Sequence, residues 1–465
     1  MNPPTIRGLA PLAALSLLAL APASLQAATL TVLPGTSIQA KINLAQAGDI
    51  VAIFGGIYNE DLTINKAIRL VEVSGQQVTL AGSLTFSGIA NAPPFDGFTA
   101  GSAGRGISID NCTGLVFRNL SAQAGSGISV TGNSSLDVTD STLSNLTCSS
   151  GTLRAWKCQA VNITAGGLSG EVWDCTLSGA FNHSAGKLTI TKCTIAGNFD
   201  TQPSAQQTIA FRTAVAGDCT WGSKKAWFGY GKAQSLNFYS SDSKLIVVGN
   251  DFNRNAGRAF GIQIQGSSNK TLISNNSIYN INQHHTIAIT GNSNKTTIAN
   301  NYLATFHGGS GYIDYTVMIY NSNITKVIGN IFGSQHSYWN VCIHAPFGSE
   351  VEYNLYANPW VPFSSNGGVS PLNNLNTNPL FVENEAPKLQ PTSPCLNAGT
   401  PDPRYNNRDG TRNTIGPSGG AWFDPEGWTT PNPVVVSFDV SPDQVLEGVD
   451  TEVIVSDGLA VSAPQ

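Results

Sequence analysis

Charge is what this sequence has least of. Of its 465 residues only 11% are Asp, Glu, Lys or Arg, less than half the usual share. A helical bundle or coiled coil would show dense Glu/Lys pairing, so that class is excluded. Lys+Arg 24 against Asp+Glu 29 also leaves no basic surplus for nucleic acid. Long apolar runs are equally absent beyond the first 28 residues, and no later stretch approaches the 18 needed for a spanning helix. What is abundant is Gly (48), Pro (24), Ser, Thr and Asn beside 41% hydrophobic residues, the composition of many short strands joined by turns around a large core.

Residues 1–28 read as a secretory signal: Arg7 is the single early charge, Leu9 to Ala21 form a predominantly apolar run, and Ser24 to Ala28 offer a small-residue cleavage region. The mature chain is then expected outside the cytoplasm, secreted, periplasmic or on the cell surface, with no membrane span. Its eight cysteines are expected as buried thiols, because Cys158, Cys175, Cys193 and Cys219 recur at one repeat position. After Trp428, Thr429-Thr430-Pro431-Asn432-Pro433 reads as a stiff linker. The alternating Val434, Val436, Phe438 and Val440 with Val453-Ile454-Val455 resemble the opening strands of an immunoglobulin-like or PKD-like module.

Between these ends lies a repeat. Val116-Phe-Arg-Asn119, Val138-Thr-Asp-Ser141, Ala155-Trp-Lys-Cys158, Val172-Trp-Asp-Cys175, Ile190-Thr-Lys-Cys193 and Ala216-Gly-Asp-Cys219 align, followed by Val247-Val-Gly-Asn250, Ile273-Ser-Asn-Asn276, Ile298-Ala-Asn-Asn301, Val327-Ile-Gly-Asn330 and Val351-Glu-Tyr-Asn354. Their fourth positions are 17 to 31 residues apart, which suits one turn of a strand coil and leaves little room for a helix in each repeat. The preceding residues Arg118, Asp140, Lys157, Asp174, Lys192 and Asp218 alternate in sign, as a stacked outward ladder requires. A second strand, from Ile107-Ser-Ile109 to Val341-Cys-Ile343, precedes each ladder position by 10 to 12 residues. A solenoid with a fixed phase follows.

With these segments the chain resembles a right-handed parallel β-helix of the pectin-lyase-like superfamily. The opening, Thr36-Ser-Ile-Gln39 through Gly48-Asp49-Ile50 to Gly56-Ile-Tyr58, is similar to that family's start. Thr36 and Gln39 read as a capping box, Ile38 and Ile42 as one face of a short helix that ends at Gly48 and covers the open core. Asn378-Pro-Leu-Phe381 through Ser393-Pro-Cys395 to Ile415-Gly416 is similar to its closing segment. The resemblance implies a β-helix over 29–428 with terminal caps, a polysaccharide or cell-surface glycan as partner, and a monomer.

Family acid clusters are missing. Between Trp221 and Asn330 the carboxylates are Asp242, Asp251 and Asp314, too sparse for a calcium cage and unpaired for hydrolysis, so neither metal nor cofactor is expected. The resemblance places a cleft over the outward side of the upstream strand. Strand alternation then gives outward columns Ala259/His284/Asp314/Tyr338, Gly261/Thr286/Thr316/Asn340, Gln263/Ala288/Met318/Cys342 and Gln265/Thr290/Tyr320/His344, with His285 and Tyr315 inward. Arg254 and Arg258 enter from the preceding turn and Trp339 closes the top. A β-eliminating lyase or epimerase on a uronate glycan needs a carboxylate neutraliser, a base and an acid, roles that Arg258, His284 and Tyr338 can fill with Asp314 orienting His284. A non-catalytic, glycan-binding or adhesive scaffold explains the same residues as a hydrated β surface. Trp156 and Trp173, equivalent in adjacent coils, serve either as sugar platforms or as surface stabilisers. Trp227, Phe228, Tyr230, Phe238 and Tyr239 fall in the longest apparent insertion, a candidate groove wall.

Overall fold

The structure is a computed structural model that describes residues 27–73, 75–91, 93–240, 243–253, 260–266, 268–280, 285–291, 293–305, 315–320, 322–333, 339–344, 348–358, 364–366, 369–383, 387–424, 427, 429, 434–441 and 453–459. The expected signal segment, apart from Ala27 and Ala28, therefore lies outside the described residues. From Leu62 onward the chain winds as a right-handed parallel β-helix whose coils contribute strands to three faces. The first face is a sheet of fifteen strands from Leu62–Ile64 to Ser365–Asn366, the second a sheet of thirteen from Phe95–Asp96 to Glu350–Glu352. The third runs from Gly56–Tyr58 to Leu375–Asn376 in segments of four and eleven strands, joined through bridges at Thr142. Inward residues of all three faces form one apolar core.

The entry helix, Ile38–Leu44, forms as expected and buries Ile38 and Ile42. Its cap differs from the expected box. Ser37 is the N-cap, accepting from Ala40 N at 3.1 Å, and Glu60 accepts from Ser37 Oγ and from Ile38 N, so a carboxylate from the next coil satisfies the helix start. The helix ends at the C-cap Ala45, before Gly48.

After each second-face strand beyond Phe95–Asp96 the chain turns through one left-handed residue, Asn119, Asp140, Lys157, Asp174, Lys192, Arg212, Tyr230, Gly249, Asn275, Asn300, Gly329 and Tyr353, and Asn373 does so after the bridge at Leu372, all with φ between 48° and 71°. Gly249 and Gly329 fit this corner without a Cβ, and Asn tolerates it better than other side chains. This column corrects the sequence register. Arg118 pairs with Thr139, so Asn119 rather than Arg118 matches Asp140. Cys219 pairs with Phe199 on the first face, which removes Ala216-Gly-Asp-Cys219 from the ladder. The alternation of sign therefore spans Asp140, Lys157, Asp174 and Lys192 and stops at Arg212. A second outward column on this face carries Asp137, Arg154 and Glu171, with Arg154 within 3.9 and 3.5 Å of the two carboxylates.

The supposed insertion between Cys219 and Asn250 is a coil in its own right, with strands Lys225–Gly229, Lys232–Ala233 and Ser235–Phe238. Trp227, Phe228 and Phe238 are buried in the coils, while buried Tyr230 meets the cleft against the C-terminal segment. Thr213 and Gly231 hold the ladder position here, and their lack of an Asn, Ser or Cys hid the coil.

Just after the left-handed corner, the ladder position points into the core. In the early coils it carries Cys158, Cys175 and Cys193, whose thiols donate to backbone carbonyls such as Trp156 O and Trp173 O, both at 3.3 Å. All eight cysteines are buried thiols. In the late coils it carries Asn250, Asn276, Asn301, Asn330, Asn354 and Asn374. Each Oδ1 from Asn276 onward accepts from both the backbone N and the Nδ2 of the preceding asparagine, at 2.7 to 3.0 Å. Nδ2 also donates to carbonyls, Asn301 to Ile273 O at 2.9 Å and Ala299 O at 3.1 Å. A buried amide chain satisfied at both ends of every link fixes the register of these coils.

The segment expected to close the helix runs back along its flank as a strap. Cys395 and Ile415 pack on Tyr302, Ala304, Ile331 and Leu355 on the outer side of the third face. Asn300 Nδ2 donates to Thr414 O at 2.7 Å, Asn275 Nδ2 to Pro417 O at 3.0 Å, and Arg212 Nε to Gly427 O at 2.7 Å. The Asn406–Gly410 stretch is a turn within it, tied by Asn407 to Thr411 and Arg412. Farther on, Val434–Ser441 and Val453–Leu459 pair antiparallel.

Candidate functional site

Four consecutive first-face strands, Phe260–Ile264, His285–Ile289, Tyr315–Ile319 and Trp339–Ile343, carry the candidate site. They pair in register at Ile262/Ile287/Val317/Val341 and at Gln263/Ala288/Met318/Cys342, as the repeat spacing requires. Backbone bonds from Gln265, Thr290, Tyr320 and His344 to the preceding coils align the next column.

One expected column inverts. A Cβ at Gly261 would meet Ile278 Cγ2 in the core at 2.5 Å. Thr286, Thr316 and Asn340 at the equivalent positions are fully buried, and Asn340 Oδ1 accepts from Ser364 N at 2.9 Å. The strand bends as it leaves the corner with the third face, so two successive residues face inward and simple alternation fails there. The residues one step upstream are thrown outward in consequence. Phe260, His285 and Tyr315, the latter two expected inside, stack as a column with ring centroids 5.9 and 5.8 Å apart and planes within 27° and 26°. His285 Nδ1 lies 2.8 Å from Tyr315 O, which holds the ring in that column. Trp339 follows Tyr315 in register.

A second row of flat rings stands at the other end of these strands. Tyr320, 37% exposed, lies parallel to His344 with centroids 4.7 Å apart and planes within 2°. Five residues of strand, roughly 17 Å, separate Tyr315 from Tyr320. The floor between them is Gln263, Ala288, Met318 and Cys342. Burial pushes the Cys342 thiol up, partly offset by a hydrogen bond from the Tyr315 side chain, and Cys342 Sγ is 3.4 Å from His344 Nε2. A contact chain thus runs from Tyr315 through Cys342 and His344 to Tyr320, between two adjacent coils. The two ring rows border a strip, the candidate trough, in which Ala288 and Cys342 are fully buried and Met318 and His285 nearly so, while Tyr320 and His344 face solvent.

Gln263, Gln265, Tyr320 and His344 are brought to this trough. Arg254, Arg258, His284, Asp314, Tyr338 and the Trp339 side chain lie outside the described residues. Trp156 and Trp173 sit elsewhere: they pair in register on the second face, half-buried, with Lys157 Nζ 5.4 Å from the Trp156 ring and Lys192 Nζ 5.0 Å from the Trp173 ring. Trp173 also packs against the apolar cluster of Phe211, Trp227 and Ile246, and both contacts stabilise that surface.

Sequence reasoning missed Asp200 and put Asp218 in the corner ladder, whereas the two stand on adjacent coils of the same first face. Asp218 accepts from Ser235 Oγ at 2.6 Å and is 5% exposed. Burial holds the Asp200 carboxyl above its ordinary range, opposed by hydrogen bonds from Thr220 and reinforced by the Asp218 charge. Their 18-residue separation, one short coil, was the available signal. Among the described residues no group of three His, Cys, Asp or Glu is placed to hold a metal ion, and no helix is long and apolar enough to cross a membrane.

No protein-family model matches the chain, and no curated protein matches it in sequence. Among solved structures, the crystal structure of pectate lyase Pel9A aligns with 84% of this chain and 95% of that one, at 12% identity and a TM-score of 0.26. The β-helix described above rests on the chain's own strand ladders.

Proposed function

We propose that this is an exported, polysaccharide-active β-helix that holds a glycan chain in the first-face trough. The observation that carries the reading is the pair of ring rows, Phe260/His285/Tyr315 and Tyr320/His344, flanking an apolar floor. The stacked rings offer a sugar their edges and the open face at the end of each row, and Gln263 and Gln265 add amide hydrogen bonds.

The finer proposal is metal-independent β-elimination on a uronate glycan, or the related epimerisation. Arg258 neutralises the uronate carboxylate, His284 takes the C5 proton with Asp314 orienting it, and Tyr338 protonates the oxygen released as the C4–O bond breaks and a C4–C5 double bond forms. In support, these residues directly precede or enter the four neighbouring strands that build the trough. The competing reading is a non-catalytic binding scaffold, favoured by a floor that carries no carboxylate; the paired strands after residue 434 would then open a further module.

Incubation with a panel of uronate polymers, followed by the absorbance of the unsaturated product, tests the proposal. Product formation lost in His284→Ala and Tyr338→Phe is expected. Retained glycan binding without product or C5 inversion across the panel selects the scaffold, and absence of both overturns the trough as a glycan site.

A further inference from the structure

A cleft of about 330 Å³ opens on a different part of the molecule, between the coils and the C-terminal strap. Its inner wall holds Asp251, Ser277 and Tyr279 from two neighbouring third-face strands, and its outer wall Ser418 and Phe423, with Lys388 also lining it. The walls are fixed without a ligand. Asn275 Nδ2 donates to Pro417 O and Gly419 O, Tyr230 Oη accepts from Asp424 N at 3.1 Å, and Tyr279 packs edge-on against Tyr302 with centroids 5.2 Å apart. A cavity that needs no ordering on binding keeps more of its interaction energy.

Its chemistry is amphipathic, with one carboxylate and one ammonium among the lining residues. Asp251 contributes a carboxylate, Lys232 is its register partner on the preceding coil, and Lys388 adds a second ammonium. A strongly charged ligand of either sign would meet a like charge. Ser277 and Ser418 offer hydroxyls, while Tyr279 and Phe423 offer ring surface, a combination that suits a ligand with one apolar face and a rim of hydroxyls. The volume lies at the small end of ligand pockets, enough for one or two sugar rings. The geometry points to a second carbohydrate site here, taking a neutral glycosyl unit whose hydroxyls bond the Asp251 carboxylate. Burial raises both the Asp251 carboxyl and the Tyr279 phenol above their ordinary values, as expected for groups set back from solvent.

The test uses the whole chain and three neutral probes: methyl glucoside, methyl galactoside and methyl N-acetylglucosaminide, followed by saturation-transfer NMR and calorimetry. Binding of at least one probe with a Kd of about 1–10 mM is expected. Ser418→Trp, which plugs the cleft from an exposed position, and Asp251→Asn should each weaken it about ten-fold or more, with the thermal midpoint of Ser418→Trp unchanged. Met318→Arg, which fills the trough instead, should leave it intact. No binding up to about 100 mM overturns the site, as does binding that survives Ser418→Trp; loss in Met318→Arg alone would assign the signal to the trough.

Discussion

The early and late coils solve one problem with different chemistry. At the ladder position, Cys158, Cys175 and Cys193 stack as small apolar groups with weak thiol contacts, whereas Asn250 to Asn374 form a continuous buried amide chain. Coil length differs with it: ladder cysteines follow one another at 17 and 18 residues, ladder asparagines at 20 to 29. Short coils leave the strands little freedom to slip. Longer loops loosen that constraint, and directional hydrogen bonds that are expensive to break restore it. The trough is built on the asparagine half, where functional loops can lengthen because the register is locked from inside.

The largest effect that would break this contrast is Asn301→Ala. It removes the acceptor of both Asn276 N and Asn276 Nδ2 and one of the two donors to Asn330 Oδ1, so a loss of about 3 kcal/mol is expected, against about 1 kcal/mol for Cys175→Ala, both by chemical denaturation. Equal losses would mean that the amide chain adds nothing beyond packing.

Acid should discriminate the halves next. His183, in the early coils and 1% exposed, bonds Thr208 Oγ1 at 2.8 Å and Ala185 O at 2.7 Å, and burial pushes its pKa down to about 4. Between the ordinary value of 6.5 and about 4 the unfolded chain binds a proton that the folded chain refuses. This contribution is therefore complete above pH 6.5 and lost as pH falls toward 4, by about 3 kcal/mol. Unfolding measured from pH 7 to pH 4 should show that slope, and His183→Gln should flatten it.

Tyr315→Ala is expected to weaken binding of a glycan that occupies the trough by about ten-fold, roughly 1.4 kcal/mol, in titration calorimetry. Unchanged affinity would separate the ring column from recognition. The smallest effect belongs to the early corner column. Asp174→Lys sets three like charges in a row and should cost about 0.5 kcal/mol at low salt, fading as ionic strength rises.

Much of the fold was legible because stacking repeats its demands. An aliphatic residue followed three positions later by Asn, Ser or Cys marks an inward residue, a left-handed corner and a ladder site in the coils that keep the pattern, except at Val116–Asn119, which is one residue out of phase, and Ala216–Cys219, which runs onto the first face. Thr213 and Gly231 meet the same backbone requirement with other side chains, and two coils were misread for that reason although the spacing from Cys193 onward, 20, 18 and 19 residues to Asn250, was regular. The trough was only half legible. Columns downstream of Ile262 follow strand alternation, while the bend at Gly261 inverts the order just upstream, which exchanges Thr286 and Thr316 with His285 and Tyr315. Such a bend depends on how the third face feeds the first, information that a local period does not contain. The Asp200 and Asp218 neighbourhood depended on the same coil count that Cys219 had shifted.

The strap has a consequence for the order of folding. A solenoid of this kind gains stability from neighbour to neighbour, so a nascent chain can add coils as they emerge. The bond between Arg212 and the Gly427 carbonyl spans 215 residues, and those from Asn275 and Asn300 span 142 and 114. Coils from Arg212 onward therefore stack early yet gain these contacts only after the chain has been made almost to residue 427. Until then the outer sides of Tyr302, Ile331 and Leu355 stay uncovered, which makes the interval between stacking and strapping the time when this protein most needs protection from aggregation.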